Sequence, residues 1–265
     1  NRIIKRIHMQ ASFKNIFTTE ISRTKHTHIL SASILLPIVI TLFSFVEITP
    51  MLFRGTAEAG QNPWRYLCFI LFENYKFLYP ILMVIICFKL HETKQQPADA
   101  KQLFILPPKK IYLYCSKAII LIFCLLISLL LALSFIFIIG KLCSIVYPLM
   151  HFQDYSITNL ITAFFVKLFF YNLSIIAMQL LLCTYFKNVI ISVGVPLILL
   201  ILGISMLYSG CNHLLPYNHS FQAALDFENG NGFVMDKTFY WSMLYSVLFF
   251  VWGALVVRLQ RVHSK

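Results

Sequence analysis

Residues 118–140 read AIILIFCLLISLLLALSFIFIIG and contain no charged side chain. A helix needs roughly 20 mostly apolar residues to cross about 30 Å of lipid hydrocarbon, and this run is long enough. The rest of the chain has the same character, because 59% of its 265 residues are hydrophobic and only 12% are charged. A water-soluble domain of this size would need far more charge to cover its surface. The sequence therefore predicts an integral membrane protein built from α-helices.

Five further stretches are long and apolar enough to cross a membrane, although two of them contain charged side chains. The predicted fold class is an all-α integral membrane protein with six transmembrane helices, at about residues 29–46, 67–88, 118–140, 156–186, 189–209 and 239–257. Residues 1–28 are predicted to form a cytoplasmic amphipathic segment, and residues 29–265 a single six-span transmembrane domain. Between the fifth and sixth spans we expect short helices at the outer surface, with FENGNG as a turn.

The basic residues are distributed unevenly between the two sides of the membrane. If the N-terminus is inside, sixteen of the 22 lysines and arginines fall in cytoplasmic segments and four in outer segments. Such an excess marks the cytoplasmic side of a membrane protein, so both termini are predicted to be cytoplasmic. The net charge of +12 therefore indicates topology and attraction to anionic membrane lipid, and no nucleic acid partner is expected.

The segment before the first span carries apolar side chains at helical spacing, with charged side chains among them. This pattern favours an amphipathic helix that lies in the cytoplasmic membrane interface, and a basic tail without structure is the alternative. The residues that define the predicted interfacial helix are Phe13, Ile16, Phe17, Glu20, Ile21 and Arg23.

No catalytic or metal-binding signature occurs in the sequence. The chain has no HExxH, GxSxG or GxxxxGK[ST] pattern, and its seven cysteines include no CxxC pair. His213 and His219 lack companions suited to a metal site, and a disulfide between Cys143 and Cys211 remains an open alternative. Residues 218–220 match the pattern for N-glycosylation. We therefore predict no catalytic residue, metal site or cofactor in this chain.

Charged and polar side chains inside the predicted spans are candidates for function, because an ionised group at mid-bilayer costs roughly 2.5–3.5 kcal/mol. Glu73 and Lys76 are three residues apart on one helix and are expected to pair. Lys167 is predicted to lie near mid-membrane, with Glu73 as its interhelical partner, since no other acid falls within a predicted span. The candidates for a transport pathway or for interhelical contacts are Glu73, Lys76, Lys167, Asn172 and Gln179, and both roles remain open.

One polar segment interrupts the apolar chain between the second and third spans, and reads HETKQQPADAKQLFILPPKKIYLYCSK over residues 91–117. In order, it carries Glu92, Lys101, Leu106-Pro107-Pro108-Lys109-Lys110, Tyr112, Tyr114 and Lys117. This order resembles the permease subunit of ABC-2 type exporters, in particular the branch that contains lantibiotic-immunity permeases. Glu20 followed by Arg23 and Lys25 resembles the N-terminal acidic-then-basic pattern of the same family. Leu215-Pro216-Tyr217 resembles its outer proline motif.

The resemblance implies that this loop holds a short coupling helix, which docks in a groove of a separate ATPase. The local sequence agrees, since Pro97 suits a helix start, Pro107 suits a stop, and four consecutive apolar residues lie between them. The alternative is a solvated loop that only connects two spans. The predicted ATPase-coupling residues are Glu92, Lys101, Leu103, Phe104, Leu106, Pro107, Lys109 and Lys117.

The resemblance also implies partners, location and substrate. An ABC ATPase subunit with ATP and Mg²⁺ would supply the energy, and a second copy or a paralogous permease would complete the pathway in a bacterial cytoplasmic membrane. The exported substrate would be amphipathic, such as a peptide antibiotic of the lantibiotic type in self-protection. A membrane-embedded enzyme or sensor that acts on lipids without an ATPase partner is the alternative function.

Overall fold

A computed structural model describes residues 13–54, 62–92, 110–148, 151–186, 188–206 and 212–259. These residues form α1 Phe13–His26, α2 Ile29–Arg54, α3 Pro63–Glu92, α4 Lys110–Val146, α5 Thr158–Tyr185, α6 Val189–Ser205, α7 His219–Glu228 and α8 Lys237–Leu259. Short 3₁₀ turns occupy Phe152–Asp154, Asn212–Leu214 and Pro216–Asn218. No strand occurs in these residues, which confirms the predicted all-helical class.

Five of the described helices are long and apolar enough to cross a membrane, namely α2, α3, α4, α5 and α8. Helix α4 extends beyond the predicted residues 118–140 at both ends, and its 37 residues measure about 55 Å. Helix α6 has 17 residues and is a shorter apolar helix within the predicted span 189–209. All six helices coincide with predicted spans, and α6 is the one whose described length falls short of a bilayer.

Helix α5 is the centre of the bundle, where it packs against α3, α4, α7 and α8. Tyr75 and Tyr79 of α3 are fully buried in the bundle. The hydroxyl of Tyr75 lies 2.8 Å from Oγ1 of Thr41, and that of Tyr79 lies 3.1 Å from Oγ of Ser128. Each buried hydroxyl therefore has a partner on a neighbouring helix, as burial away from water requires.

The outer faces of α2, α4, α6 and α8 expose many large apolar side chains. They include Leu35, Phe43, Phe123, Leu130, Ile190, Ile201, Leu248 and Trp252. A water-soluble protein rarely exposes contiguous apolar surface of this extent, whereas lipid hydrocarbon covers such a surface without penalty. These faces are consistent with a multi-pass membrane protein.

Helix α1 lies against the first turns of α4. The Phe13 ring meets the Tyr112 ring edge-on at 5.8 Å, and Ile16 is buried in the same contact region. Glu20 is also buried and accepts a hydrogen bond from Arg23 at 3.0 Å. The predicted N-terminal helix is thus confirmed, and its location in the membrane interface stays a prediction.

The segment between α6 and α8 folds back among the other helices. Three contacts set the direction of α7 along α3: Arg65 donates to the carbonyl of Glu228, Phe72 meets Phe227 at 4.6 Å, and Phe77 meets Phe221 at 4.6 Å. Phe221 therefore lies about 10 Å farther along α3 than Glu228 does, because seven residues of helix separate the two. The turn Pro216–Asn218, which precedes α7, is fully buried. The short helices predicted here exist and pack against α3 and α5, and their position at the outer membrane surface stays a prediction.

Helix α7 ends in the predicted turn. Gly230 has a φ of +73°, a region that glycine adopts without steric cost. Its N–H bonds to the carbonyl of Phe227 at 3.0 Å, and the N–H of Asn231 bonds to the carbonyl of Asp226 at 2.8 Å. This is the hydrogen-bond pattern of a Schellman cap, which terminates the helix and turns the chain toward α8.

Candidate functional site

A buried ion pair joins α5 to α7. The Nζ atom of Lys167 lies 2.6 Å from Oδ2 of Asp226, and the two side chains are only 5% and 7% exposed. Gln222, one turn earlier on α7, donates to the other carboxylate oxygen of Asp226 at 3.0 Å. Burial raises the pKa of Asp226, while the hydrogen bonds from Lys167 and Gln222 act in the opposite direction. Each charge of such an enclosed pair depends on the other for its stability.

The predicted pair between Lys167 and Glu73 is wrong. Glu73 pairs with Lys76 on its own helix, as the spacing of three residues indicated. The ammonium of Lys76 also lies 5.7 Å from the centre of the Phe221 ring on α7, a cation–π contact. The true partner, Asp226, lies outside every predicted span, so a search among the acids within spans missed it.

The Lys167–Asp226 pair lies level with the start of α8, and the predicted membrane depth of Lys167 stays a prediction. The Ser242 hydroxyl donates to the carbonyl of Phe170 at 3.0 Å, and the rings of Phe170 and Phe239 are 5.3 Å apart. Phe170 is therefore level with the first two turns of α8, which begins at Lys237. Because Lys167 is one turn earlier on α5 than Phe170, it is level with the start of α8.

A second polar contact connects the start of α8 to α5. The Tyr171 hydroxyl donates to Oδ1 of Asp236 at 3.1 Å. The same carboxylate oxygen accepts a hydrogen bond from the backbone N–H of Phe239 at 3.3 Å, so Asp236 also caps α8. Tyr171 lies one turn after Lys167, which places both polar contacts on one face of α5. The chain between Asp226 and Asp236 is thus held to α5 at both ends.

Gln179 connects three elements and lies two turns after Asn172 on α5. Its Nε2 donates to the carbonyl of Ser192 at 2.7 Å, and its Oε1 accepts from the Tyr217 hydroxyl at 3.3 Å. Asn172 donates to the carbonyl of Leu168 at 2.8 Å, and its Oδ1 has no hydrogen-bond partner in the described part of the chain. Of the two roles left open by the sequence, these contacts favour the interhelical one for Gln179.

His219 begins α7 in a fully buried position. Its Nε2 lies 3.0 Å from the carbonyl of His213, and its ring lies 5.9 Å from that of Tyr171 and 6.0 Å from that of Tyr245. Burial lowers the pKa of His219 to about 4, so the ring is neutral at pH 7. No cluster of three metal-ligating side chains occurs among the described residues. Because residues 218–220 are buried, the glycosylation pattern there is inaccessible in the folded protein.

Acid is expected to destabilise the protein through His219. The folded-state pKa is about 4 and the ordinary value is 6.5, so the unfolded state binds more protons as the pH falls below 6.5. Stability is therefore lost progressively between pH 6.5 and pH 4, by about 2 kcal/mol at pH 5. Thermal unfolding in detergent from pH 7.5 to pH 5 measures this loss, which His219→Gln should remove. His213→Gln, the matched control, should keep it. Equal acid sensitivity in His219→Gln and wild type would contradict the assignment.

Lys117 links the two helices that flank the predicted coupling loop. Its side chain is buried, and its Nζ donates to the carbonyl of Leu90 in the last turn of α3. A cation at this place satisfies carbonyl groups that have no partner within their own helix. The end of α3 and the start of α4 are thereby held together. The other predicted coupling positions, Lys101, Leu103, Phe104, Leu106, Pro107, Lys109 and the side chain of Glu92, lie outside the described residues.

The family model described as ABC-2 family transporter protein matches residues 16–203 of the chain. No curated protein and no solved structure matches it. The matched stretch begins within α1, ends within α6, and includes both helices that Lys117 connects. Because the match covers well over half of the 265 residues, the chain belongs to the ABC-2 family of membrane transporter proteins.

Proposed function

We propose that the chain is the transmembrane permease subunit of an ATP-driven exporter, and that a separate ATPase chain binds ATP and Mg²⁺ and performs the hydrolysis. Membership in the ABC-2 family is the observation that carries this proposal. The sequence contains no nucleotide-binding loop of the GxxxxGK[ST] type, which agrees with energy supplied by a partner. The contact between Lys117 and Leu90 connects α3 to α4 where the coupling loop leaves them. A displacement of the loop would therefore move both helices together.

In this proposal six helices cross a bacterial cytoplasmic membrane with both termini on the cytoplasmic side. The distribution of lysine and arginine supports the orientation. Helix α6 measures about 25 Å by itself, and the sequence stays uncharged as far as residue 209. A helix over residues 189–209 would be long enough to cross the membrane as the fifth span.

Cysteine labelling tests this topology. In intact cells, a membrane-impermeant maleimide is expected to label Asn231→Cys, which is exposed in the turn after α7. Gln95→Cys should be labelled only after permeabilisation, because the proposal places residues 93–109 in the cytoplasm. The wild-type protein, with its seven native cysteines, is the control for background labelling. Labelling of Gln95→Cys in intact cells would reverse the orientation.

A substitution in the proposed coupling helix tests its contact with the ATPase. We propose that Leu103, Phe104 and Leu106 contact the ATPase and that Glu92 and Lys101 help to fix the loop. Phe104→Asp should place an unpaired carboxylate in an apolar contact, which costs several kcal/mol and abolishes binding of the ATPase. Co-purification with the ABC ATPase that supports export when it is expressed together with the chain, and ATP-driven export itself, are the measurements.

Phe104→Leu is the matched control, because it keeps an apolar side chain of similar reach. This variant should retain binding and export, and both variants should reach the membrane in equal amounts. Survival of co-purification and export in Phe104→Asp would show that the docking position lies elsewhere.

The substrate and the second half of the pathway are also proposals. A second copy of the chain, or a paralogous permease, would complete the pathway. An amphipathic substrate, such as a peptide antibiotic of the lantibiotic type, fits the sequence resemblance and entry from the lipid. Expression together with the ATPase should then raise the lantibiotic concentration that inhibits growth of a sensitive strain. An unchanged inhibitory concentration would argue for another amphipathic substrate.

A further inference from the structure

An apolar groove lies between the first turn of α4 and the last turns of α8. Its volume is about 360 Å³, within the range of sites that hold small ligands. The groove is lined by Ile111, Val251, Ala254, Leu255, Val257 and Arg258. Five of these side chains are apolar, and the sixth is the guanidinium of an exposed arginine.

A close contact between the two helices shapes one end of the groove. At Gly253 of α8 the helix backbone approaches Tyr114 of α4 so closely that a Cβ atom would overlap the phenol group. The Tyr114 hydroxyl donates to the carbonyl of Phe250 at 3.3 Å and fixes this contact. Ile111 lies one turn before Tyr114, and Val257 lies one turn after Gly253. The groove therefore runs beside this contact and extends from it toward the ends of both helices.

One cation lines the groove, and a second lies next to it in the sequence. Arg258 lines it directly, and Lys110, the first residue of α4, precedes the lining residue Ile111. Both side chains are exposed, and no carboxylate of the described residues forms an ion pair with either of them. An apolar surface that includes a guanidinium without an acidic partner among the described residues is complementary to a molecule with a hydrocarbon chain and an anionic head.

We propose that this groove binds a phospholipid of net negative charge from the cytoplasmic leaflet. Its acyl chain lies along the apolar lining, and its phosphate group accepts hydrogen bonds from Arg258, with Lys110 nearby. Placement in the cytoplasmic leaflet rests on the orientation given under the proposed function. A zwitterionic phospholipid fits the lining equally well, but its ammonium group cancels the charge that the two cations attract. The preference for the anionic lipid therefore comes from the basic residues, each of which contributes about a fivefold gain in affinity.

Native mass spectrometry of the full-length protein in detergent tests the site. The protein is titrated with dioleoylphosphatidylglycerol and, separately, with dioleoylphosphatidylcholine, and the bound lipids are counted. We expect tighter binding of the phosphatidylglycerol, and about fivefold weaker binding of it by Arg258→Gln. Lys141→Gln is the matched control, because it removes the same charge from an exposed position at the other end of α4. Ala254→Phe fills the groove and should reduce the binding of both lipids.

Three results would overturn the proposal. Equal affinity for the two lipids would show that the basic residues do not select the anionic lipid. Equal effects of Arg258→Gln and Lys141→Gln would show that the lipid does not bind in this groove. A wild-type dimer that Ala254→Phe converts to a monomer would show that a second copy of the chain covers the groove. The assay contains no ATPase, so its failure leaves the proposed function intact, and failure of the coupling test leaves the lipid site intact.

Discussion

Lys167→Met is expected to destabilise the protein by about 3–5 kcal/mol, because it leaves the buried carboxylate of Asp226 without its counter-charge. The side chains of Lys167 and Asp226 are 5% and 7% exposed, so water cannot replace the lost partner. The double variant Lys167→Met/Asp226→Leu removes both charges and should recover most of the loss. Thermal unfolding of wild type, both single variants and the double variant measures the coupling. Purely additive effects would show that the two side chains act independently.

The pair of Glu73 and Lys76 is a matched control for this cycle. Its side chains are 35% and 13% exposed, and both residues belong to one helix. We expect a coupling energy of at most about 1 kcal/mol for this pair, as for other partly solvated ion pairs. A coupling as large as that of Lys167 and Asp226 would mean that exposure does not govern the strength of these contacts.

The Lys167→Met variant should also respond to pH in a characteristic way. Burial raises the pKa of Asp226, and Lys167 opposes that rise. Without Lys167 the folded state favours the protonated carboxyl group more strongly, so stability is regained as the pH falls toward the raised pKa. The deficit of Lys167→Met should therefore be smaller at pH 5 than at pH 8. An equal deficit at both values would point to a packing defect and not to an unpaired charge.

The second large effect is expected at Gly140. A Cβ atom on this glycine would overlap the six-membered ring of Trp64. That ring cannot easily move, since its Nε1 donates to the carbonyl of Phe152 at 2.8 Å and the two rings form an edge contact with their centres 5.6 Å apart. Gly140→Ala should therefore destabilise the protein by about 1–3 kcal/mol, as overpacking of a filled core does.

Gly194 is the control for the substitution itself. It lies within α6, and a Cβ atom there would meet no atom within 4 Å. Gly194→Ala should be neutral or stabilise the protein by up to about 1 kcal/mol, because alanine favours the helix. Comparison of the two variants by thermal unfolding isolates the contact with Trp64. Equal behaviour of the two variants would mean that Trp64 yields to the added methyl group.

Hydrophobicity alone predicts the positions of the membrane helices, because only a helix satisfies its own backbone in lipid. The same criterion explains why the helix limits were less accurate. Helix α4 runs from Lys110 to Val146 and so extends beyond its apolar centre at both ends. Hydropathy locates the apolar centre of a helix, but it does not show where the helical hydrogen bonding stops. For α6 the chain is apolar through residue 209, yet the described helix ends at Ser205.

The polar contacts of the bundle were predictable only in part. The spacing of Glu73 and Lys76 encodes their pair locally, and the structure confirms it. Asp226 belongs to a polar segment, which hydropathy assigns to the outside of the membrane. Hydropathy does not show that such a segment folds back against the transmembrane helices, so it could not identify Asp226 as the partner of Lys167. One signal was present, because Phe221, Ala224 and Phe227 recur every three residues and indicate a helix with a buried face.

Helix α7 is synthesised after the helices α3 and α5 against which it packs. Arg65 and Glu228 are 163 residues apart in the chain, and Lys167 and Asp226 are 59 apart. Synthesis proceeds from the N-terminus, so α3 and α5 are made while the partners that α7 supplies do not yet exist. During that interval Lys167 is a cation whose acidic partner has not been translated. A chain that stops before α7 would leave this charge without Asp226, so the buried contacts of α5 are complete only once α7 has been synthesised.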